Sequence, residues 1–244
     1  MKNVWTLFKR ELVSYFTHPI AYAVIVVFLF LSMLLAFTLG SFLDAQDASL
    51  TYSFFLYLPL VLMVLVPAVG MKLWTDEQRN GTIELLGTFP ISTWSIIFGK
   101  FLAAATVWLV ALGLTFPIWL TVNWLGEPDN TAILSGYLGT FLVCCTFLSI
   151  TLLVSAFTRD QVVCLVIASA ICIVLVLGTF DPFLRTWSKA LPEGVVSAIS
   201  SVGVWDHFMS LARGLFRLQD LAWFGSLITA SLLGTSAILS AKRA

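Results

Sequence analysis

The chain has 244 residues, 59% of them hydrophobic and 11% charged, with a formal net charge of zero. A soluble domain carries about 25% charged residues, so this composition excludes a water-solvated globule, and the neutral balance excludes the basic face that nucleic-acid binding requires. The charges are gathered into short intervals between long uncharged runs, the distribution of an integral membrane protein, and the length is expected to leave no room for a soluble catalytic domain.

Residues 1–19 open with Trp5, Phe8, Leu12 and Tyr15 at helical spacing, while Lys2, Thr6, Lys9 and Arg10 take other faces. This predicts an amphipathic connecting helix lying in the membrane interface, ended by His18-Pro19. The apolar run that follows is too long for the core of a signal peptide and has no clear cleavage site, so it reads as an uncleaved span. Residues 20–43 contain no charge. Each central Leu, Ile, Val or Phe gains roughly 0.3–0.6 kcal/mol on insertion, and an Arg or Asp loses about 2.5–3.5 kcal/mol, so the run inserts by a wide margin.

Asp44 and Asp47 mark an exit loop, and residues 52–71 form a second span with Pro59 and Pro67 as expected kinks. Further spans are expected at 94–124, which carries Pro117, and at 133–157, 162–180 and 221–241. A tight turn at 158–161 separates the fourth and fifth, and 181–220 is an outer-side loop with short helices. The expected fold is therefore an all-α integral membrane protein of six transmembrane helices in a single domain. Nine Lys and Arg fall on the side of the two termini, the 71–100 interval and the Arg159 turn, against Arg185, Lys189, Arg213 and Arg217 on the other. The richer side is expected to be cytoplasmic.

No ionisable residue lies in the middle of a span. This argues against ion-coupled carriers, voltage sensors and intramembrane hydrolases, all of which place such groups there. Ser149, Thr151 and Ser155 have no buried base beside them and read as helix–helix hydrogen-bonding groups. Cys144, Cys145, Cys164 and Cys172 sit in apolar runs without zinc-site spacing. Gly99-Lys100 lacks the rest of a phosphate-binding loop. The chain is thus expected to hold no cofactor and to draw its energy from another protein.

The interval from Met71 to Lys100 is the elbow through which that energy would enter. Gln78-Arg79-Asn80-Gly81 predicts a turn, Thr82 a cap, Glu84 a first-turn acid and Pro90 a stop, giving a short helix within 76–90. It would present Asp76, Glu77, Arg79 and Glu84 either as a docking surface or as a plain solvated loop.

Three stretches carry a resemblance. They are Glu77-Gln78-Arg79-Asn80-Gly81-Thr82-Ile83-Glu84-Leu85-Leu86; Thr88-Phe89-Pro90-Ile91-Ser92 with Gly99-Lys100; and Gly203 with Asp206-His207-Phe208 and Arg213-Gly214. With the opening Phe8-Lys9-Arg10-Glu11-Leu12, the chain resembles permease subunits of ABC type-2 transporters over essentially its whole length, most closely the gliding-motility and nitrous-oxide-maturation types. The resemblance implies an exporter-type half-transporter in a bacterial inner membrane with both termini inside. It implies pairing with a second permease subunit, identical or paralogous, on two copies of a separate ATPase that carries ATP and Mg. It allows a periplasmic or membrane accessory protein. By position, Asp76, Glu77, Arg79, Gly81, Thr82, Glu84 and Leu85 would couple to the ATPase, with Arg159 and Asp160 as the second contact. Gly87 departs from the leucine usual at its place. Phe54, Phe55, Tyr57 and Trp119 are candidates for lining an apolar cavity suited to an amphipathic substrate. The alternative is a mechanotransmitting or scaffolding subunit that moves nothing across the bilayer.

Overall fold

A backbone in hydrocarbon must satisfy its own hydrogen bonds, and an apolar chain does so as helices. The computed structural model describes residues 2–17, 19–40, 50–82, 92–180 and 203–241. Their regular structure is helical throughout: α1 (Lys2–Thr17), α2 (Pro19–Thr38), a short 3-10 turn (Phe55–Tyr57), α3 (Leu58–Gly70), α4 (Lys72–Arg79), α5 (Thr93–Gly113), α6 (Phe116–Leu125), α7 (Asn130–Phe157), α8 (Gln161–Leu177), α9 (Val204–Ala212) and α10 (Leu218–Ala241). Among the described residues, five helical stretches are long and apolar enough to cross a membrane, namely Pro19–Thr38, Phe55–Arg79, Thr93–Leu125, Asn130–Phe157 and Leu218–Ala241, and Gln161–Leu177 is a shorter apolar helix. The protein is therefore multi-pass. Glu84, Leu85 and Gly87, the Asp44–Asp47 loop, His18 and residues 181–202 of the outer-side loop lie outside the described residues.

The prolines act mainly at helix starts. Pro59 sits in the first turn of α3 and Pro117 in the first turn of α6, where the missing N–H costs nothing. Within the expected third span, Leu114 and Thr115 separate α5 from α6 just before Pro117, and both keep helical dihedrals. Pro67 is the one of the three inside a helix, and α3 passes into α4 through Met71, which keeps helical dihedrals and donates to Pro67 O (2.8 Å). The turn expected at 78–81 begins later, because Gln78 and Arg79 are still helical and Gly81 alone takes the left-handed conformation, at φ 69°.

Helix α7 is the centre of the bundle. Its apolar window is 78% buried, against 28% for α2 and α10, and it packs on α3, α4, α5, α8, α9 and α10. The hydroxyls buried along it turn to their own backbone: Thr140 donates to Gly136 O (2.7 Å), Ser149 to Thr146 O (2.8 Å), Thr151 to Phe147 O (2.7 Å) and Ser155 to Leu152 O (2.9 Å). This differs from the expected helix-to-helix bonds. In an apolar interior the carbonyl one turn back is the nearest acceptor that costs no side-chain reach. Ser135 does cross between helices, donating to Leu211 O (2.6 Å) at the end of α9, while Thr51 donates to Ala212 O (2.9 Å). The Ala212 carbonyl thereby gains a partner at the end of α9, and the Leu211 carbonyl, which also accepts from Gly214 N, gains a second.

Candidate functional site

The end of the bundle formed by α4, the start of α5 and the α7–α8 turn gathers the charged side chains. Buried Leu73, Trp74, Thr75 and Gln78 turn one side of α4 inward, leaving Arg79 exposed. The Gln78 amide donates to Ser155 O (3.0 Å) and Ala156 O (2.8 Å), the carbonyls of the last turn of α7. Asp76 accepts a hydrogen bond from Gln161 at the start of α8. The expected ATPase-facing elbow and the expected second contact are thus joined side by side through one short helix.

A second set of contacts ties the same helix to α1 and α5. Lys100 is 3% exposed in its side chain; its Nζ lies 2.5 Å from Glu77 Oε1 and 3.5 Å from Glu11 Oε2, with the Trp74 ring centroid at 5.2 Å. Arg10 pairs with the same Glu11 at 2.8 Å. One buried ammonium therefore holds carboxylates from two different helices. The preceding Gly99 makes the approach possible: a Cβ there would stand 3.0 Å from Leu7 Cβ and 3.6 Å from Val4 O, so a larger side chain would push α1 off α5. The Gly-Lys pair is a seat for α1 followed by its anchor. Tyr15, further along α1, has its hydroxyl pKa raised, first by burial and then by the negative charges of Glu11, Glu77 and Asp76. It stays neutral and donates to Val69 O at 3.5 Å. These groups surround a cavity of about 420 Å³ between α1 and the α3–α4 junction, whose lining includes Arg10, Lys72, Asp76, Glu77 and Lys100.

The coupling candidates divide by surroundings. Asp76 and Glu77 are engaged inside the junction. Arg79 and Arg159 are exposed, and neither side chain has a partner among the described residues. Gly81 is exposed with open space around it, and Thr82 donates back to Glu77 O at 3.4 Å, closing the turn. Asp160 caps α8, accepting from Val162 N (2.7 Å) and Val163 N (3.3 Å), which accounts for the residue locally. Lys100, Gln78, Gln161 and Glu11 were not among the sequence candidates. Lys100 falls three residues after Ile97 and four before Ala104, both buried, so a charge on the inward stripe of α5 was the signal for a buried partner.

Three of the four cavity candidates meet around Tyr137. Its ring lies 5.4 Å from Phe55, 6.5 Å from Phe54 and 5.9 Å from Trp119. Phe54 and Phe55 are 1% and 0% exposed and belong to the packed core of the chain, so within one chain they line no open cavity. Phe55 fills the space above Gly136, where a Cβ would come within 2.5 Å of its ring. Tyr57 is half-buried in the turn before α3. Trp119 lines an apolar groove of about 320 Å³ on the outer side of α5, α6 and α7.

A family model described as ABC-2 family transporter protein matches residues 62–198. The matched stretch contains α4, Lys100 and the α7–α8 turn. No curated protein matches the chain.

Proposed function

Because the chain belongs to the ABC-2 family of transporter proteins, and is thereby the membrane permease component of an ABC transporter whose partner is an ABC ATPase, we propose that the polar junction is where the ATPase engages it. In this reading the chain is an exporter-type half-transporter that pairs with a second permease, identical or paralogous, on two ATPase copies in a bacterial inner membrane, with the junction on the cytoplasmic side. The ATPase supplies ATP and Mg, and this chain carries out no covalent chemistry.

The observation that carries the reading is the bonding of α4, the helical part of the elbow, to both sides of the α7–α8 turn, through Gln78 to Ser155 and Ala156 and through Asp76 to Gln161. A push on either exposed arginine, Arg79 or Arg159, is delivered to α4 and from there to α7 at the centre of the bundle and to α8. Lys100 passes the same displacement to α1 and α5 through Glu11 and Glu77. The bundle then shifts between two packings according to which one the ATP-closed ATPase holds more tightly.

Arg79→Glu separates docking from folding, because the side chain is exposed and unpaired among the described residues. The variant is expected to insert and melt as the native protein does, while the ATPase no longer copurifies with it. Unchanged copurification would refute the assignment.

A further inference from the structure

The opposite end of the bundle holds the Gly203–Gly214 motif, for which engagement of an ATPase provides no role. There α9 ends in a reversal in which Arg213 N donates to Met209 O (3.1 Å), Gly214 N to Leu211 O (2.9 Å) and Leu215 N to Ser210 O (3.1 Å). Gly214 makes this turn at φ 82°, pressed against Ala132 at the start of α7, where a Cβ would stand 3.4 Å from Ala132 Cα. The reversal brings Arg213 and Arg217 to the wall of one cleft of about 430 Å³.

Both guanidinium groups are exposed, and neither has a side-chain partner among the described residues. The nearby buried carboxylate does not neutralise them. Asp220 is committed to His207 Nδ1 (2.7 Å) and to the Ser210 hydroxyl (2.5 Å), and the His207 ring is stacked on Trp223 at 4.6 Å. Asp206 is the acid that lines the cleft, so among the described lining residues two positive charges face one negative. Apart from Ser210, whose hydroxyl is held by Asp220, the remaining lining residues are apolar or aromatic, with Tyr52, Leu56, Trp205 and Leu215 among them, and Phe216 and Leu218, next in sequence to lining residues, are exposed at 51% and 85%. Tyr and Trp with a polar tip and an apolar body are the residues of a membrane–water interface.

We propose that this cleft binds an anionic phospholipid of the surrounding membrane, with its phosphate on Arg213 and Arg217 and its chain along Leu56, Leu215 and Phe216. Arginine offers planar paired donors that match phosphate oxygens, and the excess positive charge favours a lipid with a net negative headgroup over a zwitterionic one. The site is separate from the polar junction and stands whether or not an ATPase docks there.

The test uses the full chain in nanodiscs of phosphatidylcholine doped with a minor fraction of phosphatidylglycerol of the same chains. The disc is dissolved in mild detergent, and the lipids retained on the protein are quantified. Native protein is expected to retain phosphatidylglycerol enriched about tenfold over the disc. Arg213→Gln with Arg217→Gln should bring the ratio to that of the disc. Should the double variant fail to fold, Arg217→Gln alone is read, and a clear fall in enrichment is expected. Enrichment that survives the Gln variants, or that is absent from the native protein, overturns the proposal. Displacement of the lipid by inorganic phosphate alone would also overturn it, since the cleft would then hold a free anion.

Discussion

Replacing Lys100 with Met is expected to destabilise the protein by about 3 kcal/mol or more, the cost of leaving a buried charge without its partner. Lys100 is 3% exposed, and the carboxylates it holds, Glu77 and Glu11, are 17% and 16% exposed. Without the ammonium these two acids face each other across the contact between α1, α4 and α5, and Glu11 is left with Arg10 alone. One oxygen of Glu77, Oε2, already has no hydrogen-bond partner among the described residues, so that group has little compensation in reserve. The Trp74 ring also loses the cation lying over it. Thermal melting in detergent measures the loss. The mechanism is isolated by a cycle with Glu77→Gln. Removing Lys100 should cost less once Glu77 is neutral, by about 1–3 kcal/mol of coupling. Additive losses would mean that the pair contributes nothing and that Lys100 matters only for packing.

Gln78→Met should cost about 2 kcal/mol, because it keeps the size of a buried side chain and removes the donors that serve two buried carbonyls. Gln78 bonds Ser155 O and Ala156 O at the end of α7, where a helix has no partners of its own to offer. Gln78→Glu is the stricter variant. It sets a carboxylate against the same carbonyls and is expected to lose more stability than Met at the same position. Melting of the two variants side by side checks the order, and the reverse order would contradict the capping role. In the assembled transporter both changes should weaken the response of ATP hydrolysis to the state of the permease, since they cut the bond between α4 and α7.

The fold was legible because lipid imposes one rule on every segment. Uncharged runs such as 20–43 and 133–157 could only become helices, and the helices found there are Pro19–Thr38 and Asn130–Phe157. Local chemistry was harder to read. Pro59 looked like a kink because a proline inside an apolar run does not reveal whether it sits in a helix interior or in a first turn. The hydroxyls of α7 looked like links between helices because sequence gives their burial and not the direction in which they point.

At the candidate site, the charged elbow was visible as an interruption between apolar runs, and Arg79, Arg159 and the α8 cap Asp160 are exposed charges found there. The interior of the junction was not visible. Gln78 stands in a stretch rich in turn residues, and only tertiary contact with α7 keeps it helical and turned inward. Lys100, with Glu11, joins positions distant in sequence, and nothing local to either residue names the other. Phe54 and Phe55 were read as cavity aromatics on position alone, but they are core residues, because Gly136 opens a recess that Phe55 fills.

If the end of the bundle that carries Arg79 and Arg159 receives the ATPase, site-specific cross-linking will find it there. Cysteine is introduced singly at Arg79, Arg159 or Arg217 in membranes that contain the ATPase. The native Cys144, Cys145, Cys164 and Cys172 are all buried and do not compete for a water-soluble cross-linker. Arg79→Cys and Arg159→Cys are expected to link to the ATPase, while Arg217→Cys, at the far end, is not. A link from Arg217→Cys, or none from either of the other two, would mean that the ATPase docks elsewhere.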